Sequence, residues 1–370
     1  MKMNRKMKKI ILMAVAALMA TMSAEAQRIR TLDKDGQPVP YVSVLTTDAR
    51  YIGVTDINGV IEDVKGADTI SVSHVAYKPK LYKVNGKSGT ITLEDADFGL
   101  PEIVVKKKPL VYVQTYYRVY LYDDEYGVMY YRVGFTDNVY DRVTKKLKTS
   151  TTHTSKAIYA ILKTAFNALA GNIVDKHSQI NMKPLEERIK ERYKDILVKI
   201  TDEGNGRKRI SDFKGTIGYI VDNKEAGQRR FSYDQSKIRT HVLEVKGKEK
   251  KLKKREAKDA KERNREDADF ELYRIDDDGR CAPEDFMMSQ WMTSYDKDNK
   301  KGESIHNVHC VQVFATDRAY VDKDELKQLK KENKMKMTYQ NILQFERAHK
   351  IPALAPAIQK KLNELWKMEE

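Results

Sequence analysis

The chain has 370 residues, 41% of them hydrophobic and 33% charged, which is long enough for two domains that each bury a core. A formal net charge of +15 raises the question of an anionic partner, and two cysteines allow at most one disulfide.

Residues 1–26 stand apart from any fold. Lys2, Arg5, Lys6, Lys8 and Lys9 make a basic segment, Ile10 to Ala20 an apolar one, and Ala24-Glu25-Ala26 a small-x-small cleavage site before Gln27. The apolar run falls short of the ~20 residues a spanning helix needs. These features predict a cleaved signal peptide, an exported protein that is periplasmic or associated with the outer membrane, and a mature chain with no transmembrane segment. Cleavage removes five basic and one acidic residue, so the net charge falls from +15 to +11. Export turns that charge away from nucleic acid and toward lipopolysaccharide, lipid head groups, acidic glycans or another envelope protein. It also permits Cys281 and Cys310 to pair, which would close a loop worth ~3 kcal/mol in the chain-entropy model. Two buried thiols are the alternative reading.

From Gln27 the chain reads as short strands with turn residues between them. Strands are expected over Gln27–Asp33, Tyr41–Thr46, Tyr51–Thr55, Val60–Val64, Thr69–His74, Lys80–Val84 and Thr90–Leu93. In the second, Val42 and Val44 share one face while Tyr41, Ser43 and Leu45 share the other. Asp56-Ile57-Asn58-Gly59 carries the strongest hairpin signal of the chain. Its carboxylate spacing suits a plain turn better than a calcium loop, because Glu62 and Asp63 come too early for a bidentate ligand. Seven short strands at this spacing predict a β-sandwich.

The segments Gly36-x-Pro38-x-Pro40-Tyr41-Val42-x-Val44, Gly53-x-Thr55-Asp56-x-x-Gly59 and Val72-Ser73-x-x-Ala76-Tyr77 resemble the carboxypeptidase regulatory-like domain. That family usually has Gly where Ala76 stands. Leu100 to Val105 is similar to the short strand that follows this domain in outer-membrane transporters of the Bacteroidetes type. The resemblance covers residues 27–107 and implies a transthyretin-like sandwich, a non-catalytic appendage of exported proteins. The 263 residues after Lys107 lack the repeated ~10-residue alternating strands of a large membrane barrel.

Lys106-Lys107-Lys108-Pro109 marks a hinge, and residues 108–370 read as an α+β domain. The whole is therefore a mixed fold, an all-β sandwich followed by α+β. Val111–Tyr122 and Val128–Phe135 are expected strands around a turn at Asp123–Gly127, in a stretch holding nine tyrosines from Tyr112 to Tyr140. Tyr116, Tyr120 and Tyr130 are candidate members of a sugar-stacking surface, against a bland reading of cross-strand aromatic pairs. His153–Asn172 and Leu185–Ile200 have helical apolar periodicity. Ile210–Val221 and Arg239–Val245 read as strands. Lys246–Asp267 holds eleven basic and six acidic residues and too few aliphatic ones to bury a face, so it predicts a solvated helix or a disordered insertion. Lys250, Lys254 and Arg255 are its candidate contacts with an anionic surface. Phe270–Ile275 and Val308–Thr316 are expected strands. Asp322 can cap a helix from Lys323, and Tyr339–His349 and Ala357–Met368 are further helices.

Motifs of chemistry are sparse. His241-x-x-Glu244 with a distant His349 has the form of a zinc set, yet on a strand the first two point to opposite faces. His306-x-x-His309-Cys310 meets the same objection. There is no G-x-S-x-G elbow, H-E-x-x-H helix or P-loop. No catalytic, metal or cofactor residues are assigned and no cofactor is expected. The leading expectation is a non-enzymatic envelope protein with a binding or assembly role. The alternatives are a glycan- or lipopolysaccharide-binding accessory protein and a hydrolase whose site carries no motif.

Overall fold

The computed structural model describes residues 27–62, 64, 67–84, 88–99, 108–159, 177, 180, 198–275, 279, 281–332 and 339–369. The segment expected as a signal peptide, the strand expected over 100–105, residues 106 and 107 of the expected hinge, and the parts 160–172 and 185–197 of the expected helices lie outside these residues.

Seven short strands come first: β1 (Ile29–Leu32), β2 (Ser43–Thr46), β3 (Tyr51–Val54), β4 (Val60–Ile61), β5 (Thr69–His74), β6 (Tyr77–Lys83) and β7 (Gly89–Thr92). They form a three-stranded sheet in the order β4-β1-β7 and a four-stranded sheet in the order β3-β2-β5-β6. Ile29, Val42, Val44, Ile70, Val72 and Ile91 close one core between the two, each contributing about 1.5–3 kcal/mol of apolar burial. Val42 and Val44 point into that core, whereas Tyr41 and Leu45 pack away from it onto the rest of the chain. The Asn-Gly turn is present but joins no hairpin, because β3 and β4 belong to different sheets. Asp56 Oδ1 accepts from Asn58 N at 2.9 Å and Val60 N at 2.8 Å, and the chain crosses between sheets there. Gly59 has φ +71°, and a Cβ on it would sit 2.7 Å from the Thr31 carbonyl oxygen. Only glycine fits.

The remaining strands form one ten-stranded antiparallel sheet. They are β8 (Leu110–Asp123), β9 (Gly127–Asp141), β10 (Lys146–Tyr159), β11 (Lys199–Gly204), β12 (Arg207–Asp212), β13 (Gly215–Asn223), β14 (Gln228–Asp234), β15 (Arg263–Arg274), β16 (Phe286–Asp298) and β17 (Ser304–Val321). Their order is β10-β9-β8-β17-β16-β15-β14-β13-β12-β11, two meanders joined where β17 pairs with β8. Helices α1 (Gln235–Val245) and α2 (Glu249–Asp259) interrupt the second meander, and α3 (Lys323–Glu332), α4 (Tyr339–Ala348) and α5 (Pro356–Glu369) follow β17. The α+β expectation therefore understates strand: the described chain is β-rich. Among the described residues no helix is long and apolar enough to cross a membrane.

The large sheet is covered on one face by the four-stranded sheet and by α4 and α5. Tyr41, Leu45, Tyr51, Ile57, Val75 and Phe98 join Phe270, Met292, Cys310 and Phe314 in one cluster, which continues through Ile342, Ile358 and Trp366. Arg118 anchors the helical half. It is 1% exposed, and its guanidinium reaches Gln312 Oε1 at 2.5 Å, Glu346 Oε1 at 3.3 Å and the Pro352 carbonyl at 2.6 Å. The opposite face holds a second cluster with Tyr117, Val119, Tyr130, Val311, Val313 and Cys281.

Several expectations are corrected. Residues 153–159 are strand, paired with β9 (Tyr159 opposite Tyr130), where a helix start was expected; the run from Thr149 to Thr154 is rich in β-branched threonine, which suits a strand. Residues 239–245 belong to helix α1, begun by the Asp234 side chain accepting from Lys237 N at 3.1 Å. The expected strand over 210–221 is a hairpin turned at Phe213-Lys214, where Asp212 Oδ1 accepts from Lys214 N and Gly215 N. The charged insertion divides: α2 has no buried residue, whereas residues from Arg263 on enter an interior strand. By contrast β5 lies where expected, β8 and β9 form the expected hairpin, and Asp322 Oδ1 caps α3 through Asp324 N and Glu325 N.

Candidate functional site

The aromatic surface expected from the tyrosines is interior. Tyr116, Tyr120 and Tyr130 are 0%, 3% and 1% exposed, the first two under one face of the sheet and the third under the other. A sheet covered on both faces buries tyrosines of either parity, so none of the three is a stacking platform. Tyr116 instead donates to Glu346 at 2.8 Å. Of the basic candidates, Lys250 and Lys254 are exposed on α2. Arg255 turns inward to Asp259 at 3.0 Å and Asp267 at 3.4 Å.

Cys281 and Cys310 form no disulfide. They lie in clusters on opposite faces of the large sheet, so no rotamer brings the sulfurs together. Burial pushes the Cys310 thiol up to about 12.

The H-x-x-E pair sits on a helix, so its two side chains share a side after all. Each has its own partner: His241 Nδ1 bonds the Asp212 carboxylate, and Glu244 accepts from Lys214 Nζ at 2.7 Å. His349 stacks on Phe345 at 4.0 Å just beyond α4. In β17, His306 and Cys310 face the N-terminal sheets, while His309 meets Tyr295 on the other face and is driven down to about 4 by burial. Among the described residues no three His, Cys, Asp or Glu side chains gather as a metal-ligand set.

What the fold does build is a polar cleft of about 450 Å³ at the seam between the N-terminal sheets and the large sheet. One wall is the turn after β1. Asp33 Oδ1 accepts from Asp35 N at 2.9 Å and Gln37 N at 2.8 Å, which turns Asp35 and Gln37 outward. The other wall is made by Asn205 and Gly206 between β11 and β12, and by Asp222 to Glu225 at the end of β13 and the start of the turn into β14. Arg230 of β14 crosses the seam to Asp33 Oδ2 at 2.5 Å and to the Tyr77 hydroxyl. Asn223 Nδ2 donates to Asp35 Oδ2 at 3.0 Å, Arg207 Nη1 to Gln37 Oε1 at 3.4 Å, and the Tyr219 hydroxyl to Asn58 Oδ1 at 3.1 Å. Arg229 holds Asp222 by two bonds of 2.6 and 2.9 Å, the bidentate form that fixes a carboxylate's direction.

The lining contains four carboxylates against two cations, with Val221 as its one apolar side chain. Such a wall repels anions and offers carboxylate and amide oxygens, and amide N–H groups, to a ligand rich in hydroxyls. Its volume falls within the ~300–1,000 Å³ of ordinary ligand sites, although its lining is more polar than most.

A second polar arrangement lies farther along the seam. His306 Nε2 is 2.9 Å from Ser294 Oγ, and His306 Nδ1 is 2.6 Å from Asp296 Oδ1. The β16–β17 register sets Asp296 directly opposite His306, and Ser294, two residues from Asp296, shares its face. The His306 hydrogen bond, followed by that from Asn264, holds the Asp296 carboxyl below the usual range. Neither arrangement has a sequence motif. No protein-family model matches the chain, and comparison with curated proteins finds no relative.

Proposed function

We propose that this chain is an exported cell-envelope protein with a non-enzymatic binding role, and that the seam cleft is where it holds a neutral glycan or similar polyhydroxylated ligand. The observation that carries the reading is the cleft itself, open to solvent and walled by Asp35, Gln37, Asn205, Asp222, Asn223 and Glu225. Hydroxyl groups both donate and accept, so they match a wall of carboxylates and amides without burying a charge unpaired. The export part of the proposal rests on the basic, apolar and small-residue pattern of residues 1–26. The proposal also takes residues 27–107 as a carboxypeptidase regulatory-like, transthyretin-like domain preceding a second domain. The turn motifs from Gly36 to Tyr77 and the core shared by the two small sheets support that part.

Calorimetric titration of the purified chain with neutral disaccharides (cellobiose, chitobiose, lactose and maltose) tests the cleft. Saturable binding of at least one, lost in Asn223→Ala and unchanged in Lys250→Ala, is the expected result. Binding by none, or binding indifferent to Asn223→Ala, would refute the cleft as the site.

A second reading has its own observation. Helix α2 has no buried residue and presents Lys250, Lys251, Lys253, Lys254 and Lys258 to solvent. Near an anionic lipid surface each such residue contributes ~1 kcal/mol. Salt-sensitive binding to lipopolysaccharide vesicles that disappears when these lysines become glutamine would favour α2 over the cleft.

A further inference from the structure

The corner where the β9–β10 turn meets α3 carries charge that the fold does not use. Helix α3 packs Leu326 and Leu329 onto Tyr112, Val139 and Val321, and Lys330 Nζ in its last turn donates to Ser150 Oγ of β10 at 3.2 Å. With the leucines inward, Lys323, Lys327 and Lys331, spaced by four, form an exposed row along the helix. On β10, Lys148 stands opposite Val139 and Leu147 opposite Tyr140, so Lys146 and Lys148 share the face on which α3 sits. Lys145 ends the turn, and all three of these lysines are exposed. Among the described residues none of the six ammonium groups forms an ion pair. The acids around them are already engaged. Asp141 Oδ1 accepts from Val143 N at 2.9 Å and Thr144 N at 3.0 Å, Asp322 caps α3, and Glu325 holds Lys108.

The same turn lifts an apolar side chain into water. Val143 is 77% exposed, the most exposed large hydrophobic side chain among the described residues. It is held there from below. Arg142 N donates to the Pro109 carbonyl at 2.9 Å, and the Arg142 guanidinium lies over the Tyr320 ring at 5.3 Å. A valine at a tip ringed by lysines matches a surface with anionic head groups above an apolar layer, which takes up methyls and charges together. An acidic protein would meet the lysines and leave Val143 alone, since protein interfaces form around a larger apolar centre rich in aromatic side chains. A surface coated with oligosaccharide would hold so short a tip away from any acyl chain.

We propose that this corner is a docking surface for an anionic phospholipid bilayer. Val143 enters the head-group layer, and the lysines of β10 and α3 pair with lipid phosphates. Each lysine near such a surface adds an attraction that salt weakens, whereas the valine adds one that salt leaves in place. The seam cleft and its ligand play no part in this docking, so neither result bears on the other.

The test is co-sedimentation of the purified chain with phosphatidylcholine vesicles containing phosphatidylglycerol. Vesicles of phosphatidylcholine alone, lipopolysaccharide micelles and soluble polyglutamate run beside them. The expected result is salt-weakened binding to the anionic vesicles in preference to all three. Joint Lys145→Gln, Lys146→Gln and Lys148→Gln should weaken it on the order of 100-fold, and Val143→Ser by about tenfold. Lys250→Gln with Lys254→Gln on α2 should leave it unchanged. Emission of Val143→Trp should move to the blue when anionic vesicles are added, by more than wild-type emission does. Every substituted side chain is exposed, so the fold does not depend on it. No binding to the anionic vesicles, equal binding to neutral ones, or binding that survives the triple substitution would overturn the proposal. So would preference for lipopolysaccharide, loss of binding in the α2 variant, or unmoved Val143→Trp emission. Polyglutamate bound as tightly as the vesicles, and indifferent to Val143→Ser, would assign the corner to an acidic protein instead.

Discussion

Glu266 offers a test of the seam by stability alone. It stands on β15 opposite Ser294, beside Asp234 and Asp56, and burial first and Asp234 second push its carboxyl from 4.5 up to about 7. The folded state therefore holds this proton more tightly than the unfolded chain does. The contribution of Glu266 is constant below about pH 4.5, falls as pH rises toward 7, and is constant again above it. The shift is worth about 3 kcal/mol at 1.36 kcal/mol for each pH unit, an upper value because the charged form can relax. Glu266→Gln keeps the shape and removes the titration. Urea unfolding near pH 4.5 should give the two proteins similar stabilities, and near pH 8 the variant should be the more stable by up to about 3 kcal/mol. Taking the difference between the proteins cancels every other titrating group. A difference that stays flat between those pH values would refute the assignment of a desolvated carboxylate beside Asp234 at this position.

Two further outcomes are expected. His74 is buried against Phe270, with ring centroids 4.5 Å apart, and burial followed by the Arg230 charge lowers it to about 3. Its stabilisation is full above pH 6.5 and is lost as pH falls toward 3, so His74→Asn, which can still accept from Ala76 N, should flatten the acid limb of the stability profile; superimposed acid titrations would count against this. Arg118→Met should cost ~3–5 kcal/mol in urea unfolding by leaving buried Glu346 and Gln312 without their partner, and adding Glu346→Gln should recover part of the loss, as a double-mutant cycle would show.

Local signals in the sequence translated well into local structure. The β-branched run Thr69–His74, the Asp123–Gly127 turn and the Asp322 cap each act over a few residues, and each stands where its chemistry implies. Val42 and Val44 were legible as an inward face for the same reason. Val242 and Val245 suit a strand, whereas the signal that decides for helix α1, the Asp234 cap, lies ahead of the segment expected as strand. The tyrosines misled because alternation distinguishes a wet face from a dry one, and β8 has no wet face.

The sites were less legible because they are products of register and of distance. Asp33 and Arg230 are 197 residues apart, and nothing near either residue announces the other. The Ser294–His306–Asp296 arrangement follows from one local turn. Asn299 Oδ1 accepts from Lys301 N and Glu303 N and turns the chain between β16 and β17. Once that turn sets Asp298 against Ser304, Asp296 must face His306.

The pairing of β8 with β17 has a consequence for biogenesis. Arg118 and Gln312 meet across 194 residues, so the inner edge of the β8–β9–β10 meander stays open until nearly the whole chain has been made. The hairpins on either side can close early, within their own short loops, but their union pays the loop-closure entropy of most of the polypeptide and should be the slow step of folding. Until then Val111, Val113, Tyr117 and Val119 line an uncapped strand edge that invites pairing with another chain. A truncated product ending before Ser304 would keep that edge permanently, and is expected to aggregate where the complete chain does not.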